Sequence, residues 1–422
     1  MGNLSPSAQG ADDPLWNYLI MPFISGIVGW GTNVVALKMT FYPLEFQPYF
    51  LKVYQPPEQP FGLFGWQGII PAKAGKMAGK SVDLMTEKLI DVQEVFSRLD
   101  PLRFSKVMEA GMLDMMSKIV HEIAAKWLPP GVWARTPKSV QEETVLKALD
   151  EAPRFLSTFM NDIKDNIETY FDLKHMVVTN MVKNKGLLNK VFMDCGEKEL
   201  KFIERSGFYF GFLFGVGQAF WWYFYQASWV LPACGFIVGY ATNWLALKVI
   251  FQPIEPVKLG CFTLHGLFLR RQKEVSVLFA KINSTEILTP QAMWQSILHG
   301  PKKDAFQAAM VKHVHKFVDD MVGKLKFILD GLWGEVHFLA MKDEIARKII
   351  EQLPAHIQLS YDYTEEALDM ERTIREAMQS LSSKEFEGVL HPVFEEDELK
   401  LIIVGAMLGL AVGVFQLLVL FA

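Results

Sequence analysis

Three stretches of this chain contain no aspartate, glutamate, lysine or arginine, and they constrain its fold more than any other feature of the sequence. They cover residues 14–37, 206–247 and 401–422, so that all 42 lysines and arginines lie within 38–205 and 248–400. An α-helix rises about 1.5 Å per residue, and about 20 apolar residues cross the roughly 30 Å hydrocarbon core of a membrane. The first and third stretches are therefore long enough for one crossing each, and the second is long enough for two.

The sequence thus predicts an all-α membrane protein with four transmembrane helices and two large soluble lobes. The two middle crossings need a turn, which we place near residues 226–228. The predicted segments are a tail at 1–13, transmembrane helices at 14–40, 206–226, 229–250 and 400–422, and helical lobes at 41–205 and 251–399. Because lysine and arginine are concentrated on the inner side of membranes, we expect both lobes on the cytoplasmic or equivalent side and both termini outside.

The chain also contains an internal repeat. Residues 22–45 align with residues 232–255 at a constant offset of 210, sharing Ile-Val-Gly, Thr-Asn and Ala-Leu-Lys. Near the end of each half the offset is 198, and it pairs Gly207, Gly211, Gly215 and Gln218 with Gly405, Gly409, Gly413 and Gln416. We therefore predict two tandem copies, each made of a span, a soluble lobe and a returning span. The even number of crossings makes the copies parallel, related by an axis near the membrane normal.

The lobes are predicted to be mostly helical, because their apolar residues recur every three or four positions. Three such rows occur within residues 104–127, 155–167 and 306–329. These faces either form the core of a helical domain or rest on lipid or a partner protein. Thr289 and Pro290 indicate an N-cap followed by proline at the first helical position. Residues 46–52 and 68–70 are candidate short strands beside the membrane.

Small residues spaced four apart mark the predicted packing surfaces of the spans. At this spacing they lie on one helix face and let two backbones approach closely. They are Ser25 and Gly29 in the first span, Gly207, Gly211 and Gly215 in the second, Gly235 and Gly239 in the third, and Gly405, Gly409 and Gly413 in the fourth. The same faces are compatible with a homo-oligomer or a larger membrane complex.

Polar side chains recur at equivalent positions within the spans, where an amide is costly unless it is hydrogen-bonded. They are Thr32, Asn33, Gln218, Thr242, Asn243 and Gln416. One interpretation is structural, with the asparagines bonded to each other or to the glutamines across the bundle. The other is a polar path for a solute or an ion. The spans contain no acidic residue, which removes the usual relay for protons or cations.

A basic cluster follows the first span of each copy. The two clusters contain Lys73, Lys76 and Lys80, and Arg270, Arg271 and Lys273. They are close enough in sequence to the inner leaflet to meet lipid head groups, at roughly 1 kcal/mol per basic residue near an anionic surface. The ordinary enrichment of lysine and arginine on the inner side accounts for them equally well.

The sequence contains no convincing catalytic or metal-binding pattern. Residues 74–81 match a nucleotide-binding loop only loosely, because Ala74 stands at its first glycine position and only a short apolar run ending at Pro71 precedes it. The three cysteines share no Cys-x-x-Cys spacing. We therefore predict no enzyme activity, no cofactor and no metal site. The net charge of −5 argues against binding to nucleic acid.

Several motifs bracket nearly the whole chain. They are Ile27-Val-Gly-Trp-Gly-Thr-Asn33, Gly68-Ile-Ile-Pro71, the pair Gly207 and Gly211, and, in the second copy, Gly239-Tyr-Ala-Thr-Asn-Trp-Leu-Ala-Leu-Lys248. These motifs resemble the YheB/YjiN-like membrane family, with one departure, Leu269 in place of the proline at Pro71. The resemblance implies a membrane-anchored protein with helical soluble parts. The family's domain has no established activity, so no catalytic residues are carried over.

These features favour a non-enzymatic integral membrane protein that organises or tethers membrane, or contacts lipid, through its helical lobes. Its expected partners are membrane lipids, anionic ones in particular. The alternative is a transporter or channel with a polar path at the interface between the two copies.

Overall fold

The computed structural model describes residues 15–48, 55–62, 64–259, 262–323 and 335–420, and most of these residues are helical, as the apolar spacing predicts. The helices of the first half are α1 (Leu15–Phe41), α2 (Ile69–Ala72), α3 (Ala74–Lys88), α4 (Val92–Ser97), α5 (Pro101–Val107), α6 (Glu109–Trp127), α7 (Val132–Arg135), α8 (Lys138–Asp165), α9 (Ile167–Tyr170), α10 (Leu173–Lys183), α11 (Lys185–Cys195) and α12 (Glu197–Phe224). Those of the second half are α13 (Val230–Phe251), α14 (Leu267–Arg270), α15 (Gln272–Ile282), α16 (Pro290–His299), α17 (Lys303–Val322), α18 (Glu335–His356), α19 (Tyr361–Leu368), α20 (Met370–Ser380) and α21 (Ser383–Leu420). The predicted tail at 1–13 lies outside the described residues.

Two short antiparallel hairpins follow α1 and α13. The first pairs β1 (Phe61–Gly62) with β2 (Gly65–Trp66), and the second pairs β3 (Val257–Leu259) with β4 (Phe262–Leu264). In the predicted strand at 46–52, Gln47 forms an isolated bridge with Trp66, and residues 49–52 lie outside the described part. The predicted strand at 68–70 is wrong. Gly68 is the extended N-cap residue of α2, and Pro71 falls in the first helical turn, where its missing N–H is not needed.

Thr289 and Pro290 begin α16 as the sequence predicts. The hydroxyl of Thr289 accepts a hydrogen bond from the backbone nitrogen of Ala292 at 3.2 Å, and Pro290 is the first helical residue. This bond satisfies one of the backbone N–H groups that have no partner within the helix.

The chain divides into two compact units. This division differs from the prediction that each of the two copies contains its own soluble lobe. Unit 1 contains Met1–Met85, Met181–Ile282 and Arg375–Ala422, and unit 2 contains Thr86–Asn180 and Asn283–Ile374. Unit 2 therefore combines the central parts of both predicted lobes, with α8 packed on α17 and α6 packed on α18. The physical reason is that an amphipathic helix must bury its apolar face, and each segment offers such faces to the other.

The predicted apolar rows form the core of unit 2. The row from Phe104 to Ile123 is buried, and so is the row from Phe155 to Ile167. Phe306 is 1% exposed, and its ring centroid lies 5.5 Å from that of Phe159. These rows therefore stabilise unit 2 from within. Their described parts are not faces left free for lipid or a partner, and residues 324–329 of the third row lie outside the described residues.

Three helical segments among the described residues are long and apolar enough to cross a membrane, whereas the sequence predicts four. They are Tyr18–Phe41 in α1, Val230–Phe251 in α13 and Glu398–Leu418 in α21. The fourth expected span, 206–226, lies in the second part of α12, which ends at Phe224. Its mean hydropathy is lower than that of the three other segments. It is free of charge, but glycines, tyrosines, tryptophans and Gln218 dilute its apolar residues. In unit 1, α1 packs along α12 and α13 packs along α21, and the two pairs meet where α12 contacts α13 and α1 contacts α21.

Replacing the buried ring at the centre of unit 2 tests this account of the core. We expect Phe306→Ala to lower the free energy of unfolding by about 3–5 kcal/mol, because it leaves a cavity between α8 and α17. The measurement is thermal unfolding of the detergent-solubilised full-length protein. Lys312→Ala, at an exposed position of the same helix, is the control and should leave the unfolding midpoint nearly unchanged. Equal effects of the two substitutions would contradict the assignment of Phe306 to the core.

Candidate functional site

The first pair of long helices meets backbone to backbone at glycines. Gly29 of α1 lies against Gly207 and Gly211 of α12, so closely that a β-carbon on Gly29 would overlap the carbonyl oxygen of Gly207. Nearer the other end of the contact, a β-carbon on Gly215 would lie 2.7 Å from the Cβ atom of Ser25. Such close approach maximises van der Waals contact, which is the main attraction between helices surrounded by lipid.

The second pair of helices is built in the same way. A β-carbon on Gly239 of α13 would overlap the carbonyl oxygen of Gly405 of α21, and one on Gly235 would overlap that of Gly409. Gly413 faces the first turn of α13. The structure thus brings the predicted packing residues together in two helix–helix contacts.

Each asparagine within the spans binds the backbone of its paired helix. The side-chain nitrogen of Asn33 donates to the carbonyl oxygen of Ile203 at 2.6 Å, and that of Asn243 donates to the carbonyl oxygen of Leu401 at 2.9 Å. A backbone carbonyl has two lone pairs, so it accepts this bond in addition to its helical one. Both bonds lie one helical turn from a glycine contact and fix the register of the pair. The Oδ1 atom of Asn33 is buried and accepts no hydrogen bond within the described residues.

The glutamines connect the two pairs of helices. Gln218 accepts a hydrogen bond from the hydroxyl of Ser25 at 3.1 Å and donates one to the Oε1 atom of Gln416 at 3.3 Å. Thr32 and Thr242 each donate to a carbonyl three residues earlier in their own helix. The asparagines therefore bond neither to each other nor to the glutamines, because the backbone of the adjacent helix lies closer to them.

The two basic clusters are only partly on the surface. Lys73 is 7% exposed, and the side chain of Arg271 is 15% exposed. The exposed members of the clusters are Lys76, Arg270 and Lys273, and Lys80 is half-buried. Burial removes Lys73 and Arg271 from the set that can meet a lipid head group directly.

Arg271 instead joins a buried ion pair that sequence reasoning missed. Its Nη1 atom donates to Glu199 at 2.5 Å, and its Nε and Nη2 atoms donate to the two oxygens of Glu274, each at 3.0 Å. The hydrogen bond from Arg271, followed by that from Lys198, lowers the pKa of Glu274 from its usual 4.5 to about 2. Glu199 and Arg271 are 72 positions apart, so no local pattern signals the pair.

No metal or nucleotide site emerges from the described part of the chain. No three histidine, cysteine, aspartate or glutamate side chains in that part cluster so that they could hold a metal ion. Residues 74–81, the loose match to a nucleotide-binding loop, form the first turns of α3, where they are helical and not a loop. His313 pairs with Asp162, and His315 pairs with Asp343, both within unit 2.

The long apolar helices, joined by glycine contacts and by buried side-chain hydrogen bonds, define a helical integral membrane protein. No family model matches the chain, and no solved structure matches it. The chain is similar to UPF0754 membrane proteins of Bacillus thuringiensis subsp. konkukian (strain 97-27), Bacillus cereus (strain AH820) and Bacillus anthracis (strain A0248). Each is 28% identical over 174 residues, which is 39% of this chain and 44% of the relative, so the chain spans less than half the length of these relatives. The similarity supports a membrane protein family, and the resemblance to the YheB/YjiN-like family stays a prediction.

Two glycines of α1 offer a matched test of the helix contact. We expect Gly29→Ala to destabilise the protein by about 1–3 kcal/mol, because the new methyl group meets backbone that cannot rotate away. Gly31→Ala should be neutral or slightly stabilising, since nothing lies within 4 Å of its β-carbon position. Thermal unfolding in detergent measures both. The contact is misassigned if Gly31→Ala is the more harmful change.

The buried ion pair between Arg271 and Glu199 can be tested by removing one or both of its charges. We expect Arg271→Met to destabilise the protein by about 3–5 kcal/mol, because it leaves the buried Glu199 carboxylate without its partner. Adding Glu199→Met should restore most of the loss, since an apolar pair of similar volume removes both charges. The neighbouring exposed Arg270→Met is the control and should have little effect. If the double variant has a lower thermal unfolding midpoint than Arg271→Met alone, this account is contradicted.

Proposed function

We propose that this chain is a non-enzymatic membrane scaffold. Four helices, arranged as two parallel tandem copies, cross the membrane and anchor soluble helical parts on the cytoplasmic side, where exposed basic residues contact anionic lipid. The observation that carries the proposal is shared by all four long helices. Each has one face closed by glycine and amide contacts, and another face of large apolar side chains left exposed.

The exposed face of α12 supports its assignment as a span in spite of its lower hydropathy. Tyr209, Leu213, Phe220 and Phe224 recur along one side of this helix and are each 65–69% exposed. A row of this size is uncommon on soluble proteins and is solvated naturally by lipid chains. Aromatic side chains are also concentrated around the turn between α12 and α13, including the exposed Trp229, as they are at membrane interfaces.

The two helix pairs support the proposal of two tandem copies. The bonds from Asn33 to Ile203 and from Asn243 to Leu401 are related by the offsets of 210 and 198 that relate the two halves of the sequence. Four crossings keep both soluble segments on one side of the membrane, and their lysines and arginines favour the cytoplasmic side or its equivalent.

The use of the intramembrane polar groups favours a scaffold over a transporter. Asn33 and Asn243 bind helix backbone, and Gln218 binds Ser25 and Gln416. These groups therefore hold helices together. A solute path would need them to face a hydrated route and to release their present partners during transport.

The lipid contact rests on Lys76, Arg270 and Lys273, which are exposed on α3, α14 and α15. These helices begin between 16 and 33 residues after the end of the first span of each pair, and the three basic residues belong to unit 1. Each basic residue close to an anionic surface contributes about 1 kcal/mol to attraction.

Lipid enrichment around the full-length protein tests this proposal. The protein is reconstituted into vesicles of phosphatidylcholine and phosphatidylglycerol, extracted with a polymer that retains surrounding lipid, and the lipids are quantified. We expect phosphatidylglycerol to be enriched about twofold or more over the vesicle average at low salt, and less at high salt. The triple variant Lys76→Gln, Arg270→Gln and Lys273→Gln should lose the enrichment.

A matched variant and a flux measurement complete the test. Lys303→Gln with Lys312→Gln removes two exposed lysines from α17 of unit 2 and should keep the enrichment. An unchanged lipid ratio in the triple variant would contradict the proposed contact. The wild-type protein is also assayed for solute flux in proteoliposomes. A flux that is lost in a folded Asn33→Leu variant would contradict the scaffold proposal and favour a transporter.

A further inference from the structure

An apolar pocket lies in unit 1 where the long helices pass from their uncharged stretches into the charged parts of the chain. Its volume is about 60 Å³, and part of it is open to the surface. The proposed function gives this pocket no role.

The walls of the pocket come from both helix pairs. Leu37 of α1 faces it together with Leu247 of α13, which is the equivalent residue at the offset of 210. Ile203 of α12 and Leu401 of α21 are a second equivalent pair, at the offset of 198. The pocket therefore lies between the pairs, where the two helix contacts leave space that no side chain of the described residues fills.

The polar groups in the wall leave few hydrogen-bonding sites for a ligand. Glu199 is bound to Arg271, and the hydroxyl of Thr40 donates to the carbonyl oxygen of Ala36 at 2.9 Å. Burial raises the pKa of Cys195 to about 12, so its thiol stays protonated and weakly polar. A pocket of this kind favours a hydrocarbon ligand.

The surroundings of the pocket indicate which hydrocarbon. Lys38 and Lys248 adjoin the lining residues Leu37 and Leu247 in sequence and are exposed, and the ammonium group of Lys248 lies 5.1 Å from the centre of the Trp244 ring. Glu398 also lines the pocket, and its carboxylate would repel that of a free fatty acid inside it. The occupant should therefore keep its charged group outside and insert only its chain.

We infer that this pocket holds one acyl chain of a membrane phospholipid, whose phosphate lies near Lys38 and Lys248. The inference rests on the proposed function in one respect, namely that unit 1 is embedded in a membrane. It adds a specific lipid site between the helix pairs to the diffuse contact made by exposed basic residues.

Native mass spectrometry of the purified full-length protein, after extensive delipidation in detergent, tests the site. We expect one phospholipid to remain per chain in the wild type. Leu200→Trp, which fills the pocket from α12, should lower the retained fraction at least tenfold. Leu213→Trp is the matched control on the same helix, because Leu213 is exposed away from the pocket, and it should retain lipid like the wild type.

Further variants keep the result interpretable if Leu200→Trp does not fold. Leu247→Phe fills the pocket from α13 by a smaller change and should also lower retention. Lys38→Gln with Lys248→Gln should lower it without changing the volume of the pocket. No retained lipid in the wild type, equal retention in the pocket variants, or a retained free fatty acid would each overturn the inference.

Extraction of membranes with alkaline carbonate separates this inference from the proposed function. Protein that stays in the membrane but retains no phospholipid leaves the scaffold intact and removes the site. Release of the protein by carbonate would show that unit 1 is not embedded in the membrane, and it would contradict both the inference and the proposed function.

Discussion

The rest of unit 1 depends on backbone contact at glycines. In a membrane, an apolar side chain gains little free energy by exchanging lipid for protein, because both are hydrocarbon environments. Helices therefore associate mainly through close packing and polar bonds. Gly29 against Gly207, and Gly239 against Gly405, bring two helix axes to a distance that any larger side chain would prevent. Only at that distance can the amides of Asn33 and Asn243 reach carbonyl oxygens across the contact.

Charged groups then set the boundary of this packed region. The exposed Lys38 and Lys248 lie where the uncharged stretches end, and Arg271 is held below the surface by Glu199 and Glu274. A buried carboxylate that kept no cation would be strongly destabilising. The pair therefore constrains the start of α15 against α12 and shapes one wall of the apolar pocket.

Unit 2 is organised by a different force. Its helices are in the charged part of the sequence and bury rows of phenylalanine and methionine against one another, as Phe306 does against Phe159. Such burial contributes about 1.5–3 kcal/mol per large side chain relative to exposure in water. The chain enters and leaves unit 2 twice, so the two halves of the sequence share one hydrophobic core.

The sequence by itself determined the class of protein, the positions of three apolar helices, the amphipathic rows and the small residues of the helix contacts. These features are local or periodic, because lipid demands uninterrupted apolar segments and a helix repeats its faces every three or four residues. Only the tertiary structure decided that Asn33 binds backbone and Gln218 binds Gln416, that Arg271 is buried with Glu199, and that the central parts of both lobes form unit 2. The three side-chain contacts among these outcomes join residues 72 to 198 positions apart, and spacing along the chain carries no information about which of several possible partners lies nearest in space.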